Sequence, residues 1–483
     1  MRPLLDKLIS PYQSAFIPDR STYDNILFTH EIMHKFNKCS GKTSWVAMIL
    51  DMKKAYDQLE WDFVQKCFQE LGFHPQWIKW ITEYISPISY SLLVNDELNG
   101  LFQPSRGIRQ GDPLSPYIFI LCMEVFSHIS KEANIAGSGI GIKLCFNSLK
   151  ILCLLFADDY LLFCKTNQQT ISTTKAILDR FCDLSGQLVN FHKSVLTFSR
   201  NTSNLLKQLV MATLAISHSS SLGTYRGCPV FYGKPSKNTF QELINKAATK
   251  LSRWKANSLS KAGRTVLIQL HLESLPAHTM QYFQLPSATS TSVDQIHRNF
   301  FWKKSNTEQG ILLVAWDKVC QPKTKGGLGL HKTEAVNTAF QCKLACKILN
   351  NNTGLWAQSV KAKYLCKCGF LQYQSKPADS PVWKNLLKCR NLLKQGIRWK
   401  SGRGNNISFW FDNWVDNHNL VELLGIPLDA IPEPNVVASD FINNDRSWNA
   451  IKLQQCVQDH NFLLKLKGSI YQLRKLMIHF VGV

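Results

Sequence analysis

The 483-residue chain is poor in acid and has no long apolar run. No stretch approaches the roughly 18 consecutive uncharged apolar residues of a spanning helix, and Asp6 and Lys7 interrupt the N-terminus before a secretory core could form. Membrane insertion and secretion are therefore not expected, and an intracellular setting is. Fixed-period repeats and low-complexity linkers are also missing, which excludes a solenoid and leaves domain boundaries soft. The 15 cysteines are odd in number and sit mostly in apolar runs such as Leu121-Cys122-Met123 and Leu152-Cys153-Leu154. A thiol there packs as a small hydrophobe, consistent with a reducing compartment. Cys342, Cys346, Cys366 and Cys368 run Cys-x-x-x-Cys then Cys-x-Cys, which is not a usual structural zinc spacing.

What is present is the mix of a folded globule, 45% hydrophobic and 11% aromatic, on a length that suits about three domains. Only 34 acids face 56 lysines and arginines, a net charge of +22 that favours a polyanionic partner such as nucleic acid.

Hydrophobic pattern gives a coarse map. Trp45 to Leu50 is a continuous apolar run ending at Asp51, as in a strand buried on both faces, and a helical stretch follows to Leu71 and stops at Gly72. Tyr90 to Val94 and Leu98 to Phe102 flank Asn95-Asp96, a hairpin signal; the loop Gly107 to Pro116 then opens a helix expected to reach Glu132. Ile151 to Phe156 and Tyr160 to Phe163 bracket Ala157-Asp158-Asp159, which reads as a tight hairpin with carboxylates at its tip. A further helix is expected from Ile171 to Leu184. From Thr239 to Trp254 one helical face carries Ile244, Ala247, Leu251 and Trp254 and another carries Lys246, Lys250 and Arg253.

Asp51, Asp158 and Asp159 would repel one another if brought together without a cation. Paired divalent ions resolve that repulsion and clamp the oxygens of an in-line phosphoryl displacement. An isolated Asp-Asp hairpin is more often ordinary turn chemistry, so the surrounding motifs decide. Leu50-Asp51-Met52-Lys53-Lys54-Ala55-Tyr56-Asp57, Gly107-Ile108-Arg109-Gln110-Gly111-Asp112-Pro113-Leu114-Ser115-Pro116 and Phe156-Ala157-Asp158-Asp159 occur in that order, and together they resemble the palm of reverse transcriptases. Ser185-Gly186-Gln187-Leu188-Val189-Asn190-Phe191-His192-Lys193-Ser194 is similar to the next palm motif. Trp316-Asp317-Lys318-Val319-Cys320 and Gly326-Gly327-Leu328-Gly329-Leu330 resemble plant non-long-terminal-repeat (LINE-type) retrotransposon proteins, so the similarity spans nearly the whole chain.

The resemblance implies an α+β fold: a palm of antiparallel sheet with packed helices, partial fingers, a helical thumb and a mainly helical C-terminal region. The expected division is 1–44 for the entry to the palm, 45–235 for the palm, 236–350 for the thumb-like region and 351–483 for a Trp- and Lys-rich part with no assigned chemistry. It also implies RNA-directed DNA synthesis from deoxynucleoside triphosphates on an RNA template and DNA primer, in the nucleus, with two Mg2+ or Mn2+ ions. Asp51 and Asp158 would bind both ions and Asp159 would support them. Tyr56 stands where the family places an aromatic beneath the incoming sugar, unless it is a packing residue. Arg109 and Gln110 are expected to line the pocket of the nascent base pair. Lys193 is placed near the leaving pyrophosphate or is a solvated lysine. Arg20, in Gln13-Ser14-Ala15-Phe16-Ile17-Pro18-Asp19-Arg20, touches template phosphate or caps the palm. Lys246, Lys250, Arg253, Lys255, Lys261 and Arg264 stand against the single acid Glu242 between positions 241 and 270, as on a thumb helix gripping a backbone or on a merely solvated face.

The resemblance also has gaps. The fingers that hold the triphosphate, an upstream endonuclease and a Cys/His-rich segment do not appear, so truncation at both ends is expected. Thr224-Tyr225-Arg226-Gly227-Cys228-Pro229 carries a charge where the family's Tyr-Leu-Gly motif has leucine, and burying an unpaired guanidinium costs several kcal/mol. The alternative function is a catalytically inactive retrotransposon remnant that only binds nucleic acid.

Overall fold

A computed structural model describes residues 2–252, 259–302, 313–349, 354–366 and 368–396, and 407–457 apart from 415–418, 428–430, 432, 435 and 444–446. Two compact units result, Met1–Leu387 and Lys388–Val483.

After a short helical turn at Leu5–Leu8 the first unit forms helix α1 (Thr22–Lys38), whose N-cap Ser21 accepts a hydrogen bond from the backbone N–H of Tyr23. Strand β1 (Trp45–Asp51) follows, then α2 (Trp61–Glu70), α3 (Pro75–Ile85) and the hairpin β2 (Tyr90–Val94) and β3 (Glu97–Phe102). Asn95 at φ +51 and Asp96 at φ +66 give that hairpin the two left-handed residues of a type I′ turn. The ribbon stands away from the core, with Leu93 66%, Leu98 77% and Leu101 74% exposed. Helix α4 (Ser115–Ile135) begins with Pro116 in its first turn and runs past the expected end at Glu132. Next come β4 (Cys153–Phe156), β5 (Asp159–Lys165), α5 (Gln168–Ser185), β6 (Val195–Phe198) and α6 (Asn204–Leu214). Asn167 caps α5 and Gly186, at φ +77, ends it.

The main sheet has the order β4-β5-β1-β6 with every neighbour antiparallel. Side chains alternate across a strand, so Val46, Met48 and Leu50 lie on one face of β1. They join one core with Ile118, Met123 and Phe126 of α4 and Ile177 and Phe181 of α5. Phe126 meets Tyr160 and Phe181 edge-on at 5.1 and 5.4 Å. This is the α+β architecture of a palm.

After the short ribbon β7 (Thr224–Tyr225) and β8 (Cys228–Pro229) the unit is helical: α7 (Gln241–Ser252), α8 (Lys261–Leu267), α9 (Ser274–Met280), α10 (Ser287–Trp302), α11 (Thr333–Leu349) and α12 (Leu355–Tyr364). Buried Asn337 of α11 donates to the carbonyls of Met280 and Phe283 and accepts from Leu285 N–H. Buried Glu31 of α1 accepts from Lys363 Nζ at 2.7 Å, from the Tyr364 hydroxyl at 2.9 Å and from the Ser380 hydroxyl. The second unit has its own core, in which Phe409 stacks on Phe441 at 3.9 Å and Trp410 Nε1 donates to Glu433 O.

Glu124, on the buried face of α4 and 4% exposed, accepts a hydrogen bond from Ser10 Oγ at 3.1 Å. Burial pushes its carboxyl up to about 7. A raised acid costs nothing below the unfolded carboxylate range, since both states are then protonated. Its cost grows as pH rises to about 7 and is constant above that. Glu124→Gln is therefore expected to stabilise the first unit by up to about 3 kcal/mol at pH 8 and to be neutral near pH 4.5, as read by urea unfolding at the two pH values.

Candidate active site

The β1–β5 register places Asp51 opposite Asp159, and the β4–β5 register places Phe156 opposite Asp159. Ala157 and Asp158 are thus the two turn residues, and the three acids share one end of the sheet. Ala157 takes φ +53, a left-handed conformation that costs a residue with a Cβ about 1 kcal/mol. The turn is held in that shape from outside: Ala157 N–H donates to Gln13 Oε1 at 3.1 Å, and the same oxygen accepts from Ala15 N–H.

A second segment straps the end of β1. Lys53 N–H donates to Leu188 O and Asn190 N–H to Asp51 O. Asn190 Nδ2 donates to Asp51 Oδ2 at 3.1 Å, and Ser194 Oγ accepts from Asp51 N–H at 3.2 Å while donating to Asn190 O. Asn190 and Ser194 fix where the Asp51 carboxylate points. The sequence reading singled out only Lys193 from this motif; its side chain is exposed and its backbone N–H donates to Asn190 O.

Asp158 stands exposed at the tip. Partial loss of hydration among its neighbours, followed by the charges of Asp159 and Asp51, holds its carboxyl above the usual range, with Arg226 working the other way. Asp159 behaves differently from the expectation that it supports metal ions: its Oδ2 is held by Arg226 Nη1. The guanidinium of Arg226 also covers the Phe156 ring, 3.8 Å from its centre. It is not the unpaired buried charge the sequence motif implied. The position was visible as a departure from Tyr-Leu-Gly, but its partner lies 67 residues away and no local signal names it.

Tyr56 stacks on Phe119 with ring centres 4.8 Å apart and planes 9° apart. Burial, and then the charge of Asp158, pushes its hydroxyl up to about 12, so the ring stands within electrostatic reach of the acids. Backbone bonds bring the loop after β3 to the same place, Gly107 N–H donating to Leu59 O and Ile108 N–H to Tyr56 O. A Cβ at Gly107, whose φ is +92, would stand 2.9 Å from Asp57 O. Gln110 is exposed beside that turn, and Arg109 covers the Tyr84 ring at 4.9 Å while pairing with Asp112 at 3.4 Å.

The residues expected on nucleic acid divide. Arg20 turns inward and donates to the carbonyls of Ser10 at 2.5 Å, Gln13 at 2.9 Å and Ile9 at 3.0 Å, the palm-capping alternative rather than an open contact. Exposed Lys261 and buried Arg264 both bond to main-chain carbonyls. Lys261 Nζ donates to Phe301 O at 2.7 Å, and buried Arg264 Nη1 donates to Phe300 O at 3.1 Å and Phe301 O at 3.3 Å. Both cations close the carbonyl end of α10, where the helix dipole favours positive charge; burial takes Arg264 from its expected place on a phosphate backbone, while Lys261 stays exposed. Lys246 and Lys250 remain on the outer face of α7, the first paired with Glu242 at 2.7 Å and the second 3.4 Å from His271 Nε2. Arg253 and Lys255 lie outside the described residues.

With this geometry in hand, comparison with known proteins is direct. Residues 1–229 match the family described as reverse transcriptase (RNA-dependent DNA polymerase). They are a reverse transcriptase domain. Relatives of the domain-bearing chain come from transposable elements and plants. It is 31% identical over 252 residues to an Arabidopsis thaliana protein named for ribonuclease H, covering 51% of this chain and 40% of that protein. It is 25% identical over 273 residues to the uncharacterized 149 kDa protein of transposon TX1 from Xenopus laevis, covering 56% and 20%. It is 32% identical over 148 residues to a Pol polyprotein of the retrotransposable element R2 from Popillia japonica, covering 30% and 20%. The chain spans less than half the length of each of these relatives. Telomerase from Candida albicans, solved with a fragment of telomeric RNA, aligns over 74% of this chain and 56% of its own at 14% identity and a TM-score of 0.33, too slight a likeness to bear weight.

Gly107→Ala is expected to destabilise the domain by more than about 1 kcal/mol, because the substitution meets both a left-handed φ and the Asp57 carbonyl. Chemical denaturation checks this, and a change within a few tenths of a kcal/mol would mean that the loop relaxes freely away from Tyr56.

Proposed function

We propose that the reverse transcriptase domain catalyses RNA-directed DNA synthesis, joining a deoxynucleotide to a primer 3′-hydroxyl on an RNA template. The observation that carries this reading is the strand register that sets Asp51 beside the Asp158-Asp159 turn. Carboxylates gathered at one sheet end call for a cation. Asp51 and Asp158 offer the hard oxygen donors that suit Mg2+ or Mn2+, and Mg2+ commonly takes one or two carboxylates and completes its shell from substrate phosphates and water. Two ions bound there would supply Lewis acidity, lowering the pKa of the attacking hydroxyl and stabilising charge on the leaving pyrophosphate.

The chain's own residues do the rest. Asn190 aims the Asp51 carboxylate. Tyr56, braced on Phe119, presents a ring against which a ribose 2′-hydroxyl would collide, so deoxynucleotides are preferred. Arg109 and Gln110 border the nascent base pair, and Lys193 offers an ammonium to the departing pyrophosphate. Lys246 and Lys250 follow the nucleic-acid backbone; Arg20, Lys261 and Arg264 instead hold the scaffold. Action in the nucleus belongs to the same reading. Among the described residues no helix is long and apolar enough to cross a membrane.

Primer extension on an RNA template with Mg2+ tests the proposal. Asp51→Asn and Asp158→Ala are each expected to lower incorporation by roughly a thousandfold while retaining template-primer binding in a gel-shift assay. Binding by the unaltered chain with no incorporation would overturn catalysis in favour of a protein that only binds nucleic acid, a reading that the Arg226–Asp159 pair favours.

A further inference from the structure

Arg226 occupies an unusual place. The β7–β8 register pairs Tyr225 with Cys228, so Arg226 and Gly227 form the entire turn, at φ +51 and +74. A long charged side chain seldom takes the first position of such a turn, which favours asparagine, aspartate or glycine. Here two contacts on the acid-bearing hairpin hold it. Nη1 binds Asp159 Oδ2, and the guanidinium lies 3.8 Å from the centre of the Phe156 ring. Phe156 and Asp159 are register partners on either side of Ala157-Asp158, so the guanidinium grips both legs of the turn. The pair is largely sheltered, with side chains 30% and 32% exposed, and Arg226 Nε is buried with no hydrogen-bond partner among the described residues. A cation fixed by a ring and a carboxylate in such surroundings interacts more strongly than one in open water.

Two consequences follow for the carboxylates. Asp159 has one oxygen on a cation and its charge offset, whereas Asp51 Oδ2 takes only the neutral amide of Asn190 and Asp158 stands exposed, so Asp51 and Asp158 keep their charge for a divalent ion. The guanidinium also adds a permanent positive charge beside the place where a divalent ion would bind.

We propose that Arg226 is a built-in cation of the acid cluster, which neutralises Asp159 and thereby weakens divalent-ion binding and confines it to Asp51 and Asp158. The proposal rests on the reading of these acids as the ion-binding group. Arg226 acts through Asp159 and by its field, as a positioning residue.

The test is Mn2+ binding by the full chain without nucleic acid, followed by the loss of the free-ion paramagnetic resonance signal and repeated with Mg2+ as competitor. Arg226→Leu is expected to bind Mn2+ about tenfold more tightly than the unaltered chain, and Arg226→Lys, which keeps the charge, to stay within about threefold of it. Arg226→Asn removes the charge yet suits a left-handed turn, so it carries the test should the leucine variant fold poorly, and is expected to match it. Asp51→Asn or Asp158→Asn in the Arg226→Asn background should abolish the tight binding. Equal affinity in the unaltered chain and both neutral variants, with sensitivity to Asp51→Asn, would overturn the role of Arg226 and leave the ion site standing. Binding in no variant that responds to Asp51→Asn or Asp158→Asn would overturn the ion site, and the inference with it.

Discussion

The pairing of β1 with β5 is the constraint on which the site depends. Side chains alternate along a strand, so a slip of one residue would turn Asp51 toward the face that packs against α4 and α5 and carry Val46, Met48 and Leu50 away from it. The apolar alternation of β1 and the packing of α4 and α5 against it fix the register. The same pairing forces negative charges together at the sheet's end. Core packing thus imposes an electrostatic strain that no residue of the core itself relieves, and relief has to come from a cation brought by the chain or by a ligand.

The segments around this end of the sheet are held largely through the backbone. Residues 185–194 and 107–108 reach the turn after β1 through main-chain hydrogen bonds, supplemented by Gln187 Nε2 on Ala55 O at 2.7 Å. Glycine is required where these approaches are close: a Cβ at Gly186 would fall 2.5 Å from Gln58 O. Gln13 performs a similar task for the strained Ala157. The geometry at Asp51 and Asp158 is therefore maintained from three directions, by stretches far apart in the chain.

Much of the fold was legible in the sequence. The run Trp45 to Leu50, the Asn95-Asp96 turn, Pro116 opening a helix and Gly186 closing another all appear where pattern and turn chemistry place them, because each is decided by neighbours within a few residues. The position of the acids was legible for the same reason. The partners of charges were not. Lys261 and Arg264 lie among cations in the sequence, and nothing local reveals that the carbonyl end of α10, about 40 residues onward, will take them. Asn190 carries no local signal of its role, since its bond to Asp51 spans 139 residues. Composition reports how many charges a chain has, whereas tertiary contacts decide which of them still face outward.

The leucine-rich ribbon of β2 and β3 has a consequence of a different kind. Leu92, Leu93, Leu98 and Leu101 are all more than half exposed, and among the described residues the two strands pair with each other alone, leaving both outer edges open. Such an edge is a template for adding strands from another copy. Four exposed leucines on so short a ribbon make it an apolar surface on a chain whose net charge of +22 otherwise favours water.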